Sequence, residues 1–350
     1  MTKPSSLDVR GLDPTSRRVL RTVLQFGPIA RSDVAERTDL STGSLTRLTK
    51  PLLEAGFLRE GVPLGSAFGR PSIPLELVDE SAEFLGVKVV PDEIHAVVIG
   101  LAGQVHASTL LETDTADPAA LAAALGRLHR NWQEAHGVSG IGVALAGSVD
   151  PFGTVRAASF LGWEETNFSA MVSEATGLPC TTANDVDALA LAQHWLGVGR
   201  GIENFVTLTI GSGVGAGAVV GGHLLIGHQG FSSLVGDLWA STGRTFHEEL
   251  SDEGLAAAIA RVGRDQAMAG GVARAAELVA FAKRVWGPQR ILLTGEGVGL
   301  VAERPDAFKR ALARFSPPGI ERPELVVRKL EFSDWARGAA ALAISHALRL

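Results

Sequence analysis

Four short stretches of this sequence carry residue types able to do chemistry. Ser41, Thr42, Gly43, Ser44, Thr46, Arg47 and Lys50 fall on one side of a helical repeat whose other side is Leu45, Leu48, Leu52 and Leu53. Hydroxyls there suit phosphate oxygens or base edges, an arginine reaches a guanine bidentately, and a lysine suits a phosphate. Gly43 lets the backbone come close. The face reads as a contact for double-stranded DNA, although an ordinary solvated helix face has the same composition. Arg70, in Gly69-Arg70-Pro71, sits on a proline-stiffened tip that would enter a narrow minor groove or pair with a linker carboxylate. Asn184-Asp185 precedes the helical stretch Val186 to Leu196, where the pair suits a helix cap and equally a ligand site at a strand-to-helix junction. The run from Gly211 to Gly217 suits a phosphate-cradling turn or a structural one.

The elements that must position these groups come in two styles. From residue 10 to 80 arginines recur among acids. Asp13-Pro14 starts a helix carrying Val19, Leu20, Val23 and Leu24, and Gly27-Pro28 ends it. A second helix spans 31–38. Ser41 caps a third, which Gly56 closes and Pro51 should kink after the polar face. Residues 57–60 and 75–78 then fit two strands of a hairpin with a long tip. Three helices and a hairpin make a winged helix-turn-helix, its third helix bound for the major groove. Beyond residue 80 strands alternate with helices: 84–90, 94–100, 141–146, 205–210 and 290–294 read as strands, and 118–134, 255–262, 272–285 and 336–350 as helices.

At 350 residues the chain exceeds a single small core, and no apolar run approaches the roughly 20 residues that span a bilayer. The polar start lacks a secretory apolar region, so a cytoplasmic protein without membrane partners is expected. The lone Cys180 allows no internal disulfide and no multi-cysteine zinc site. A net charge of −6 does not exclude DNA, because a small basic module can sit within an acidic total.

The head from Gly27-Pro28-Ile29-Ala30-Arg31 to Gly56-Phe57-Leu58 and Gly69-Arg70-Pro71 is followed in order by four blocks. They are Gly142 to Pro151, Leu161-Gly162-Trp163, Ala183 to Ala190 and Gly211 to Gly217. Together they resemble the ROK family of repressors and sugar kinases, specifically its xylose-repressor-like regulators. The resemblance implies an α/β fold: an N-terminal winged helix-turn-helix at 10–80 and a two-lobed, actin-like, sugar-kinase-like (ribonuclease H-like) domain. Lobe 1 would span 81–183, joined by the C-terminal helix 335–350, and lobe 2 184–334. Ligand contacts are implied at Gly147, Trp163, Asn184, Asp185 and Asp237, with Phe160 and Trp163 as an apolar wall. Where family kinases carry Asp-x-Gly-x-Thr, this chain has Lys88-Val89-Val90-Pro91-Asp92, so magnesium-assisted phosphoryl transfer should be lost. Leu234 and Asp237 stand where the family has Glu and His, and no cysteine follows. His228 and His247 nearby do not make a zinc site.

The expectation is a non-enzymatic transcription regulator, a repressor without metal or cofactor, binding an operator as a homodimer or homotetramer. A sugar or other metabolite would close the lobes and alter the spacing of separately folded DNA heads. A ligand-independent regulator or scaffold is the alternative, and an active sugar kinase a further one.

Overall fold

The computed structural model describes residues 9–63, 72–230, 234–315 and 323–348. Helix α1 (Pro14–Phe26) begins where the Asp13 carboxylate accepts hydrogen bonds from the backbone N–H groups of Thr15 and Ser16. Strand β1 (Ile29–Ala30), α2 (Arg31–Arg37) and α3 (Thr42–Glu54) follow, α3 capped by the Ser41 hydroxyl, which accepts from Ser44 N at 3.2 Å. Pro51 is exposed in the last turn of α3, and the helix continues past it to Glu54. Strands β2 (Leu58–Glu60) and β3 (Pro74–Leu77) pair antiparallel, and β3 lies between β1 and β2. Arg70, with Gly69 and Pro71, lies outside the described residues.

The first lobe holds β4 (Glu83–Val90), β5 (Glu93–Gly100), β6 (Val105–Glu112), α4 (Pro118–Trp132), β7 (Val138–Leu145), the small hairpin strands β8 (Ser148–Val149), β9 (Val155–Ala158) and β10 (Trp163–Thr166), α5 (Phe168–Thr176) and β11 (Cys180–Asn184). Its main sheet runs β11-β7-β4-β5-β6, parallel from β11 to β4 and antiparallel beyond. Helix α6 (Asp185–Leu196) leaves β11 directly.

The second lobe holds β12 (Phe205–Ile210), β13 (Val214–Val220), β14 (His223–Leu224), α7 (Phe246–Leu250), α8 (Asp252–Val262), α9 (Arg264–Trp286), β15 (Arg290–Thr294), α10 (Gly299–Ala302), α11 (Pro305–Ala313) and β16 (Glu324–Val327), with sheet order β14-β13-β12-β15-β16. The last helix, α12 (Phe332–Leu348), returns to the first sheet. It comes so close that a Cβ on Gly86 or Gly142 would overlap the backbone carbonyls of Ala336 and Ala339.

The head is not a free appendage. Val19, Leu20, Val23 and Leu24 of α1 belong to one buried cluster with Leu191 and Trp195 of α6 and Ala340, Ile344 and Leu348 of α12. Burial that continuous resists hinge motion, because packed interiors transmit displacement rather than absorb it. The expectation of a separately folded head is corrected accordingly: its apolar surface is completed by the following domain.

Candidate functional site: a polar helix face and a filled inter-lobe corner

On α3 the Leu45 and Leu52 side chains are buried, which turns Ser41, Thr42, Gly43, Thr46, Arg47 and Lys50 outward as exposed residues, with Ser44 half-buried. Several of these groups are already engaged locally. The Thr46 hydroxyl donates to the Thr42 carbonyl at 2.9 Å, the Ser41 hydroxyl to that of Ser44 at 3.0 Å, and Lys50 stands 3.8 Å from Glu54 across solvent. Arg47 has no hydrogen bond or ion pair among the described residues. It is the donor on this face most available to a partner.

The second place is the start of α6. Asn184 caps the helix: its Oδ1 accepts from Val186 N at 2.8 Å and Asp187 N at 3.2 Å, and its Nδ2 donates to the Gly147 carbonyl at 2.9 Å. Asp185, in the first turn, accepts a hydrogen bond from the Lys88 ammonium of β4. Both side chains are buried, at 10% and 6% exposure, and the ammonium lies 5.3 Å from the centre of the Trp335 ring. The sequence marks Lys88 as the loss of a carboxylate. It does not reveal that the new cation pairs with the retained acid 97 positions away. The available signal was a charge reversal opposite an acid kept in place.

The neighbouring loops close over this corner. The Ser148 hydroxyl donates to the Gln229 carbonyl at 2.6 Å, and a Cβ on Gly230 would overlap the Val149 carbonyl. Val90 and Glu93 face each other across the tight turn Pro91-Asp92, with Asp92 at φ 63° and its N–H donating to the Thr115 hydroxyl at 2.9 Å. In the glycine run, the exposed Glu296 carboxylate lies where a Cβ on Gly211 would sit. A carboxylate there repels a phosphate.

Gly147, Asn184 and Asp185 come together with Lys88. Trp163 is used elsewhere: it is 2% exposed, donates from Nε1 to the carbonyls of Thr115 and Ala116 at 3.0 and 3.1 Å, and packs on Phe168 with ring centres 4.7 Å apart. Phe160 is exposed, and Asp237 is exposed at the end of a short 3-10 turn. Burial pushes the Cys180 thiol up to about 12, opposed by a hydrogen bond with Thr182, so it stays protonated and weakly nucleophilic. No cluster of His, Cys, Asp or Glu among the described residues is arranged to hold a metal ion.

Helix α6 runs from this corner to α1 of the head. Its 12 residues extend about 18 Å. A Cβ on Gly338 of α12 would press within 2.8 Å of the Ala188 backbone, and one on Gly217 of β13 within 2.5 Å of the Val186 carbonyl. Just past the helix, Arg200 donates from Nη2 to the Leu24 carbonyl at the end of α1, at 3.3 Å.

Residues 12–59 match the winged helix-turn-helix DNA-binding family model, and residues 84–248 match the ROK family model. A ROK-family domain follows a winged helix-turn-helix head. The chain is 27% identical over 225 residues to the xylose repressor of Caldicellulosiruptor bescii, covering 62% of this chain and 56% of that protein. It is 26% identical over 229 residues to the N-acetylglucosamine repressor of Escherichia coli O157:H7, covering 64% and 56%. The chain thus spans a little over half the length of these curated relatives. Among solved structures, a ROK family transcriptional regulator described as a homolog of an E. coli MLC protein superposes with a TM-score of 0.76 at 21% identity, covering 95% of both chains. A ROK family glucokinase from Streptomyces griseus superposes with a TM-score of 0.63 at 20% identity, covering 75% of this chain and 99% of that one. These likenesses establish the fold. The ROK domain here combines that fold with the Lys88–Asp185 pair.

Proposed function

We propose that the chain is a DNA-binding transcription regulator, a repressor, whose ROK domain performs no phosphoryl transfer. The observation that carries this is Arg47, without a partner among the described residues, on the exposed polar face of a helix inside a head matching the winged helix-turn-helix model. The repressor names of the relatives agree with it. Loss of catalysis follows from chemistry: a base must be free to take a substrate proton, and Asp185 is engaged by a buried ammonium. Selection of duplex DNA from a random pool by the intact protein tests the regulator reading, and ADP release across a panel of monosaccharides tests the loss of kinase activity. Sequence enrichment without sugar-dependent ADP release supports both.

A second reading concerns the effector. The Lys88–Asp185 pair occupies the corner where the resemblance implies ligand contacts at Asn184, Asp185 and Gly147. This favours a ROK domain held in one state by its own side chains, with α6 fixing the head through the shared core and Arg200. The sugar-sensing reading predicts that a monosaccharide raises the melting temperature and releases DNA. The ligand-independent reading predicts neither. Binding as a homodimer on a two-fold operator is proposed on the symmetry such heads require.

A further inference from the structure

On the face of the second-lobe sheet away from α6, there is a cavity of about 390 Å³ under the β16 edge, within the size range of small-molecule sites. Leu325 and Val327 of β16, two residues apart, present one face of the edge strand to it. Phe308 of α11, Val301 of α10 and Val279 of α9 supply the apolar walls.

The charge pattern of the lining is one-sided. Lys283 and Lys309 are its charged members, and no carboxylate accompanies them among the described residues. Lys309 is exposed and solvated. Lys283 differs: its Nζ is shielded from solvent and has no hydrogen-bond partner among the described residues. An unpartnered ammonium withdrawn from water is unfavourable, and folded proteins keep such groups chiefly where a ligand or partner completes them. Lys283 also sits in the last turn of α9, where the helix's carbonyl ends favour a cation but leave its outward donors unused.

We infer that this cavity is a binding site for an apolar monocarboxylate, such as a medium-chain fatty acid, its hydrocarbon against Phe308, Val279 and Leu325 and its carboxylate on Lys283 with Lys309 at the entrance. A sugar does not suit the cavity, whose walls offer few hydrogen-bond partners for a ring of hydroxyls. A phosphate ester would hold a dianion against one shielded ammonium and an apolar wall. The monocarboxylate matches both the single shielded ammonium and the greasy surround. The proposal is independent of the DNA-binding reading, because none of its residues lies in the head or the α6 corner.

The test is calorimetric titration of the full chain with octanoate and with octanol, which share the hydrocarbon and differ in charge. Octanoate is expected to bind saturably, about tenfold or more tighter than octanol. Lys283→Met should erase that preference while leaving octanol binding equal or stronger. Lys283→Arg should retain it, and Lys309→Met should weaken octanoate by a smaller factor. Lys283→Met is expected to melt no lower than wild type, since it removes a charge that lacks a partner, so a failure to bind cannot be ascribed to unfolding. Equal affinity for octanoate and octanol, no saturable octanoate binding, or an octanoate preference that persists in Lys283→Met would each overturn the assignment.

Discussion

The face of α3 and the corner at the start of α6 are both rich in polar residues, yet they use them in opposite ways. On α3 the hydroxyls cap and brace the helix while Arg47 stays exposed, with no partner among the described residues. At the start of α6 the Asn184-Asp185 pair is satisfied internally: Asn184 by the helix N–H groups and Gly147, Asp185 by Lys88. Residue type alone does not distinguish a binding surface from a closed structural node. What distinguishes them is whether donors and acceptors remain after the fold has taken its share.

The largest effect expected from breaking this contrast is at the buried pair. Lys88→Met leaves a carboxylate in a shielded site and should cost about 3–5 kcal/mol, read as a lowered urea midpoint. Lys88→Met combined with Asp185→Leu should recover most of it, because an apolar pair replaces an ion pair at little net cost. If Lys88→Met is as stable as wild type, the pair is not a structural node. The same geometry alters the expectation for Asp185→Ala. A variant affecting only ligand response would require a free carboxylate, whereas here the substitution strands an ammonium and should lower stability.

On the open side, Arg47→Ala should weaken operator binding by about 1–3 kcal/mol and relax preference at one base pair, with an unchanged melting temperature. A gel-shift series over single-base operator variants reads both. Arg200→Ala should have a smaller effect, about 0.5–1.5 kcal/mol in stability from one lost hydrogen bond, together with reduced protection of the head from amide exchange. Equal protection in both proteins would remove Arg200 from the coupling between α6 and the head.

The smallest effect is a pH dependence at the joint between head and first lobe. His106 places Nδ1 2.7 Å from Glu83 Oε1 and Nε2 2.7 Å from Asp79 Oδ2, with His136 also 3.2 Å from Glu83 and both carboxylates buried. Burial opposes the charged imidazole, but the hydrogen bonds and charges of Glu83 and Asp79 outweigh it and raise the His106 pKa. A raised folded value means that the stabilisation is fully present below the ordinary imidazole value and is lost as pH rises through the raised one. Urea midpoints at about pH 6 and about pH 8.5 should therefore differ more in wild type than in His106→Gln. An identical difference in both would assign the pH dependence to other groups.

Much of the fold was legible because the signals are local. Asp13-Pro14, Ser41 and Gly56 mark helix ends through contacts within a few residues, and the buried strands β12 and β15 are short apolar runs between turns. Strand β6 escaped because it is an edge strand with no buried residue, and β8 to β10 because each has four residues or fewer. Trp163 reads from sequence as a pocket wall, but whether its indole meets a ligand or the Thr115 carbonyl depends on chain folded from elsewhere. The Lys88–Asp185 pair and the core shared by α1, α6 and α12 are long-range features, and no periodicity within one segment encodes them.

The central claim is that the head reads DNA through α3 while the ROK domain holds it without catalysis. In vitro selection of random duplexes on the intact wild-type protein, run beside Arg47→Ala, tests it most directly. The account predicts that wild type enriches a defined sequence and that Arg47→Ala loses discrimination at one position of it. Recovery of an unenriched pool by wild type, or an identical enriched sequence with identical discrimination by Arg47→Ala, would contradict it.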